Sequence, residues 1–411
     1  MSIGNFLDSS RPYNFAEHGR SDHWANHQQI RRVTRATVSE VRPPAPDRPL
    51  TRQNVAHADK LLEAFKVLKD ENGQSPGGDG IRYDDFGLSE IARALRVISA
   101  EITRNEYRPQ PHREVPIPRE GRLPRQLRLR TVLDRTVSKA ILIALTPRID
   151  PSFLPGSFAY RPQRSVHHLL AAMARGAKEA GSWWFVQDDI RDAFPSIRIE
   201  DALAGFRRYV ADPELMQLIS VVLQGHDANR TVGIDQGDPI SPLALNLVLH
   251  EVIDVPLDAA MGRQSLWFRF SDNVAIVCQT RSECAEKLAL LANWLGVHGL
   301  VLKGENSRPV NFQRIGAHAE FLGFDIRKTG NRLSFGVGPE AWSKLRSYLN
   351  GIWKKSDPSE MAKLIISGWI NSYGPALGHE TRAESFALIR ELAREVHIRE
   401  GLSNDNLMMW L

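Results

Sequence analysis

The chain has 411 residues, 42% of them hydrophobic and 25% charged, with a formal net charge of +5. That profile fits a soluble globular protein with two or three subdivisions and a sizeable core, and it excludes collagenous, low-complexity and disulfide-scaffolded classes. Two cysteines, Cys278 and Cys284, and no apolar run near the roughly 18 residues of a membrane span, point to a cytoplasmic chain with no membrane partner.

The first residues carry Asp8, Glu17 and Asp22 among polar neighbours and lack a signal-peptide core, which supports the same expectation. Residues 1–52 are rich in Arg, His, Asn and Ser and close on Arg42-Pro43-Pro44-Ala45-Pro46, the signature of an extension with a stiff linker. His23 and His27 stand at i, i+4, but without a Cys or third His nearby they read as an incidental pair. A helix is predicted from Val55 to Lys69, with Leu61, Leu62, Phe65 and Leu68 on one face, ending at Asn72-Gly73 before a flexible turn at Gly77-Gly78-Asp79-Gly80.

Residues 108–135 hold Arg108, Arg113, Arg119, Arg122, Arg125, Arg128, Arg130 and Arg135, with Glu114 and Glu120 close by. Alternation at Val115–Ile117 and Leu127–Leu129 predicts a β-hairpin with Glu120-Gly121 at its tip. Such a basic hairpin suits phosphate contacts; a solvated hairpin face is the plainer alternative. The mild net charge of the whole chain is open to the same two readings.

Trp183–Val186 reads as an apolar strand running into Asp188-Asp189. Ser241-Pro242 is predicted to open a helix as capping hydroxyl and first-position proline, with Leu243, Leu247, Val248 and Leu249 buried. Leu266–Phe270 and Val274–Cys278 read as strands joined by the turn Ser271-Asp272-Asn273. A helix follows, with Thr280 and Glu283 in capping-box spacing and Leu288, Leu291 and Leu295 on one face. Phe321-Leu322-Gly323-Phe324 is expected to begin a further strand. Residues 335–411 read as helical, with Trp342, Leu345, Tyr348 and Leu349 at helical spacing.

Two of these elements deliver a carboxylate to a strand end or hairpin tip, Asp189 and Asp272. On one sheet they could hold two Mg²⁺ ions for an in-line phosphoryl transfer, since Mg²⁺ takes hard oxygen ligands and few from protein. Aspartates at strand ends are also ordinary turn formers, so spacing alone leaves both readings open.

Four segments, in order, resemble the palm of reverse transcriptases. Asp189-Ile190-Arg191-Asp192-Ala193-Phe194 is similar to their first palm motif and Gln236-Gly237-Asp238-Pro239-Ile240-Ser241-Pro242 to their Gln-Gly-x-x-x-Ser-Pro motif. Phe270-Ser271-Asp272-Asn273 stands in the place of the Tyr-x-Asp-Asp box, and Phe321-Leu322-Gly323-Phe324 resembles the primer grip. Further segments resemble the group II intron branch. They are Gly77–Gly80, Ile117-Pro118-Arg119, Arg125-Gln126-Leu127, Thr131–Arg135, Ser157–Pro162 with Arg164, Ser165 and His167, and the thumb-helix stretch Ile365–Tyr373. The resemblance spans roughly residues 55 to 375.

The resemblance implies an α+β right-hand polymerase fold: extension and linker 1–52, fingers 53–180, palm with antiparallel sheet 181–334, and helical, maturase-like thumb 335–411. It implies an RNA-directed DNA polymerase that extends a 3′-hydroxyl with dNTPs on an RNA template, from a DNA or RNA primer, with two Mg²⁺ ions that Mn²⁺ can replace. By position, Asp189, Asp272 and Asn273 would be catalytic, with Asp189, Ile190 and Asp272 as metal ligands. Arg119 and Arg125 would hold the triphosphate, Phe194 would lie under the sugar, and Gln236 and Gly237 would line the nucleotide pocket. Arg128, Arg130, Arg161, Arg164, Gly323 and Trp369 would contact nucleic acid.

Some positions depart from the pattern. Asn273 replaces the second Asp of the box and removes one negative charge. Asn306 stands where a lysine usually follows the fourth palm motif, with Lys303 as a nearby substitute. Arg128 and Arg130 replace Gly and Pro. No zinc-type nuclease segment follows Tyr373, so a host-resident enzyme is expected, of the kind used in antiphage defence, with room for a dedicated non-coding RNA or protein partner. A catalytically degenerate, maturase-like RNA-binding protein is the alternative, and a retron-type reverse transcriptase a lesser one.

Overall fold

The computed structural model describes residues 50–72, 76–119, 122–262, 265–305, 307–352, 357–378, 381–398 and 402–411, with the backbone alone at 72, 118–119 and 122–125. The histidine pair His23/His27, the Pro-rich linker, the hairpin tip Glu120-Gly121 and Asn306 lie outside that description. Helix α1 (Ala58–Asn72) buries Leu61, Phe65 and Leu68 against α2 (Leu88–Thr103), whose Ile91 and Leu95 form an i, i+4 stripe. Val55 belongs instead to a separate turn, Arg52–Val55, in which Thr51 accepts from the Asn54 amide at 3.2 Å. The glycine run at 77–80 is an ordered turn rather than a loose one. Gly78 N donates to Arg130 O at 2.9 Å, and a Cβ on Gly78 would come within 2.4 Å of Leu129 O. Glycine serves here for close backbone approach.

Strands β1 (Arg113–Arg119) and β2 (Arg122–Leu129) form the expected hairpin, in register from Arg113↔Leu129 to Arg119↔Arg122 with an irregularity between Ile117 and Arg119. Helix α3 (Val132–Ile149) follows, its N-cap Thr131 accepting from Asp134 N at 3.1 Å. Helix α4 (Val166–Ala180) ends on Gly181, whose φ of 65° suits a left-handed cap.

The centre is an antiparallel sheet of β3 (Trp184–Asp189), β4 (Leu266–Phe270), β5 (Asn273–Cys278) and β6 (Val310–Asn311), in the order β4-β5-β3-β6. Both faces are covered. Val186, Val274, Ile276 and Cys278 face a core shared with α1 to α3, whereas Phe185, Ala275 and Val277 face a second core with α4. Burial on both sides explains why β5 is a continuous apolar run. Between β3 and β4 come α5 (Ile199–Arg207), α6 (Pro213–Gln224), α7 (Ser241–Leu249) and α8 (Val255–Ala260). Ser241 proves to be the first residue of α7, not its cap. The cap is Ile240, whose amide donates to Ser138 Oγ at 3.0 Å and Asp238 Oδ1 at 3.2 Å. Helix α9 (Arg281–Val297) is capped by Thr280 as expected, accepting from Glu283 N at 3.2 Å.

A three-stranded sheet, β7 (His318–Phe321), β8 (Phe324–Thr329) and β9 (Arg332–Val337), continues the second core. The further strand begins at Phe324 rather than Phe321: Phe321 ends β7, and between them lies a two-residue turn in which Leu322 (φ 53°) and Gly323 (φ 81°) are both left-handed, the arrangement that matches strand twist. Helices α10 (Pro339–Asn350), α11 (Pro358–Tyr373), α12 (Arg382–Glu395) and α13 (Asn404–Trp410) enclose a third core around Leu345, Leu349, Ile366, Ile370 and Ile389. Among the described residues, no helix is long and apolar enough to cross a membrane.

Candidate active site

The site sits where β3 ends beside the β4–β5 hairpin. Asp189 pairs with Asn273, which itself pairs with Phe270, so the turn is Ser271-Asp272 and Asn273 is the first residue of β5. Ile190 N donates to Asp272 O at 3.0 Å and fixes the hairpin tip to the strand end. Ser271 turns the corner at φ 61°. Beneath it lies Arg269, fully buried, which donates to Asp254 at 2.7 and 2.6 Å, to Asn246 Oδ1 at 2.8 Å, to Ser157 Oγ at 2.9 Å and to Ser271 O at 3.0 Å. This bracing guanidinium was not foreseen, because its partners are far apart in sequence.

Three aspartates meet here with different roles. Asp188 is buried and accepts from Asp189 N at 2.9 Å, Gly304 N at 3.0 Å and the Ser307 hydroxyl, so it anchors the 303–307 loop. That loop runs against β3: Lys303 N donates to Asp189 O at 2.9 Å, and the Lys303 ammonium lies on Asp189 Oδ2. Burial raises the Asp189 pKa, Lys303 opposes the shift, and Asp272 and Asp188 add to it. The Asn273 amide donates to Asp272 Oδ1 at 3.2 Å.

The donors around this corner are carboxylate, carbonyl and amide oxygens, the hard set that Mg²⁺ prefers. Asp189 already attracts the chain's own cation, Lys303. Among the described residues no group of three or more His, Cys, Asp or Glu could form an all-protein cage. The oxygen donors at the corner fit a hard divalent ion.

Phe194 lies in a one-turn helix, Ala193–Ser196, with Tyr160 edge-on at 6.5 Å; its carbonyl accepts from Ile234 N at 2.9 Å. Gln236 O accepts from Arg128 N at 3.3 Å. Gly237, at φ 104°, packs so closely on β2 that a Cβ would stand 2.9 Å from Leu127 Cδ1. The side chains of Arg119 and Arg125 lie outside the described residues.

The residues expected to touch nucleic acid divide by exposure. Arg128 is partly exposed, 3.5 Å from Glu114 and 3.4 Å from Asp235. Arg130 is buried on Asp235 and Asp238. Arg161 is also buried, closing a loop through Asp150 and the carbonyls of Leu154 and Ser157. Arg164 donates to Pro155 O and Ser157 O and lies over Phe158, and burial presses its pKa down. Trp369 is buried in the third core with its indole donating to Ala341 O at 2.9 Å. Arg130, Arg161 and Trp369 were expected to contact nucleic acid, but all three are buried on internal partners, which corrects their place to the interior. Gly323 faces Tyr373, whose hydroxyl would lie 2.7 Å from an added Cβ.

This corner belongs to a known class of protein: the chain is a member of the reverse transcriptase (RNA-dependent DNA polymerase) family, whose model matches residues 117–326. Its architecture is accordingly the α+β right-hand polymerase fold. The chain is 29% identical over 201 residues to Protein YkfC of Escherichia coli (strain K12), covering 46% of this chain and 52% of that protein. It is 30% identical over 196 residues to the Group II intron-encoded protein LtrA of Lactococcus lactis subsp. cremoris, covering 46% and 32%. It is 27% identical over 213 residues to an uncharacterized 91 kDa protein in cob intron of Schizosaccharomyces pombe, covering 50% and 26%. Within the family it is thus group II intron-like, and it spans about half or less of the length of these relatives.

Proposed function

We propose that the chain is an RNA-directed DNA polymerase that extends a 3′-hydroxyl with dNTPs on an RNA template, using two Mg²⁺ ions held by Asp189, the Ile190 carbonyl and Asp272. The observation that carries this reading is the pairing of Asp189 with Asn273 together with the Ile190–Asp272 bond, which sets both carboxylates at one corner of the sheet. Bound there, the metals would lower the pKa of the attacking hydroxyl and neutralise charge on the departing pyrophosphate; Mn²⁺ accepts the same ligands. Residues 53–180, 181–334 and 335–411 serve as fingers, palm and thumb. Arg119 and Arg125 hold the triphosphate, Phe194 lies under the sugar, and Gln236 and Gly237 line the pocket. Of the arginines in the expected contact set, Arg128 keeps a partly exposed side chain that can meet a nucleic-acid backbone.

A maturase-like RNA-binding protein without catalysis is the second reading. It is favoured by one observation: both carboxylates already have partners from the chain, Lys303 on Asp189 and Asn273 on Asp272. Labelled dNTP incorporation on a primed RNA by the purified protein, in Mg²⁺ or Mn²⁺, separates the two. Incorporation stopped by a chelator is the expected result; RNA binding with no incorporation in either metal selects the second reading. We extend the proposal to antiphage defence on family likeness alone, in which case Asp189→Ala in cells should restore plaque counts.

A further inference from the structure

The root of the β1–β2 hairpin is tied to the loop before Gln236 by ions hidden from solvent. Asp235, 1% exposed in its side chain, accepts from Arg130 Nε at 3.0 Å and Arg130 Nη2 at 2.8 Å on one oxygen. On the other it meets the Arg230 guanidinium and, at 3.4 Å, Arg128. Arg130 Nε also lies 3.2 Å from Asp238, which accepts from the Ser138 hydroxyl and the Ile240 amide and so connects the cluster to α3 and α7. The backbones meet at the same place. Arg128 N donates to Gln236 O, Gly78 N donates to Arg130 O, and Gly237 leaves no room for a Cβ beside Leu127. Gly225 closes the far side, where a Cβ would stand 3.3 Å from Arg130 Nη2. One carboxylate therefore gathers three arginines, two from the end of the hairpin and one from the loop.

We propose that Asp235 is a positioning residue that, through Arg130 and Arg230, latches the root of the β1–β2 hairpin onto the turn carrying Gln236 and Gly237, and so fixes the distance between the two walls of the nucleotide pocket. The inference rests on the polymerase reading above for its catalytic consequence, but not for the latch itself. Arg119 and Arg125 stand further out on the same hairpin, in register with Arg122 and Ile117. Any pivot at the root is magnified at their position, and misplacing a binding group by about an ångström is enough to weaken a substrate contact. Removing the Asp235 charge leaves three guanidiniums around a neutral amide, with Asp238 beside Arg130 and Glu114 beside Arg128 offsetting them only in part, which should loosen the hairpin root from the loop.

The test is Asp235→Asn, which keeps shape and removes charge, measured in the full chain by amide hydrogen exchange and by steady-state incorporation. Exchange in residues 113–129 and 225–240 should rise by about tenfold while residues 266–278 keep the wild-type rate. The KM for dNTP should rise by about tenfold with kcat within about twofold and primer-template affinity unchanged. Unaltered exchange in the hairpin with unaltered KM overturns the proposal. Where Asp235→Asn exchanges faster throughout the chain, Asp235→Glu takes its place under the same criteria, because it keeps the charge and shifts only the root. If wild type incorporates no nucleotide, the polymerase reading falls, and the exchange comparison alone decides the latch.

Discussion

At Asn273 the side-chain amide donates to Asp272 Oδ1, a bond that an ionised carboxylate in its place could not give. Asn273→Asp should therefore act in two opposite directions. Without metal it sets a third acid beside Asp272 and Asp189 and should lower the melting temperature. With metal, the added charge attracts a divalent ion by a few kcal/mol, taking an effective dielectric of about 20 and before desolvation. The Mg²⁺ concentration for half-maximal incorporation should fall. A variant with an unchanged Mg²⁺ requirement and an unchanged melting temperature in chelator would show that Asn273 has no part in the site. The placement of Asp189 at a strand end and of Asp272 in a turn was legible from sequence, because each follows an apolar strand. Arg269–Asp254 and Arg130–Asp235 were not, since the latter partners are 105 residues apart and nothing local marks either as paired.

At the level of elements, the hairpin root gives a dependence on pH. Burial alone would raise the Asp235 pKa, but Arg130 and Arg230 outweigh it and hold it below the ordinary carboxylate value. A folded-state pKa below the unfolded one means stabilisation that is complete above about pH 3.9 and fades as pH falls through the folded value. Asp235→Asn should thus be less stable than wild type from pH 5 to 7 in urea unfolding, with a gap that narrows in more acidic solution. A gap that widens on acidification contradicts the ion pairing. The β7–β8 turn offers a second test. Gly323→Ala places a methyl against the Tyr373 hydroxyl and ring edge at φ 81° and should cost about 1–2 kcal/mol; Tyr373→Phe should recover the share due to the hydroxyl and leave the ring contacts and the backbone strain. Full additivity of the two changes would place the cost elsewhere. Strands and helices were largely legible from periodicity, whereas turns were misjudged by a residue or two. Asn273 entered β5, and Phe321–Phe324 became a turn, because pairing partners and twist decide those boundaries.

Across the whole molecule the first two cores interleave along the chain on the two faces of one sheet, and the third is built by the helical end. The His167 ring meets Ser372 O at 2.8 Å, and Phe324 meets Tyr373 at 5.1 Å, joining the second core to the helical third. The helical end was legible as helices, but Trp369 was expected to contact nucleic acid and lies inside, its ring tilted against Trp342 at 4.5 Å, since an indole with a carbonyl partner is readily buried. The account as a whole depends on the corner formed by Asp189 and Asp272. Its most direct measurement is primer extension on RNA by wild type, Asp189→Ala and Asp272→Ala, prepared alike and matched for folded content and primer-template affinity. Incorporation by wild type, with a loss of at least about a thousandfold in each variant and no loss of nucleic-acid binding, is the expected result. Undiminished extension by either variant would contradict the assignment of the metals to this corner.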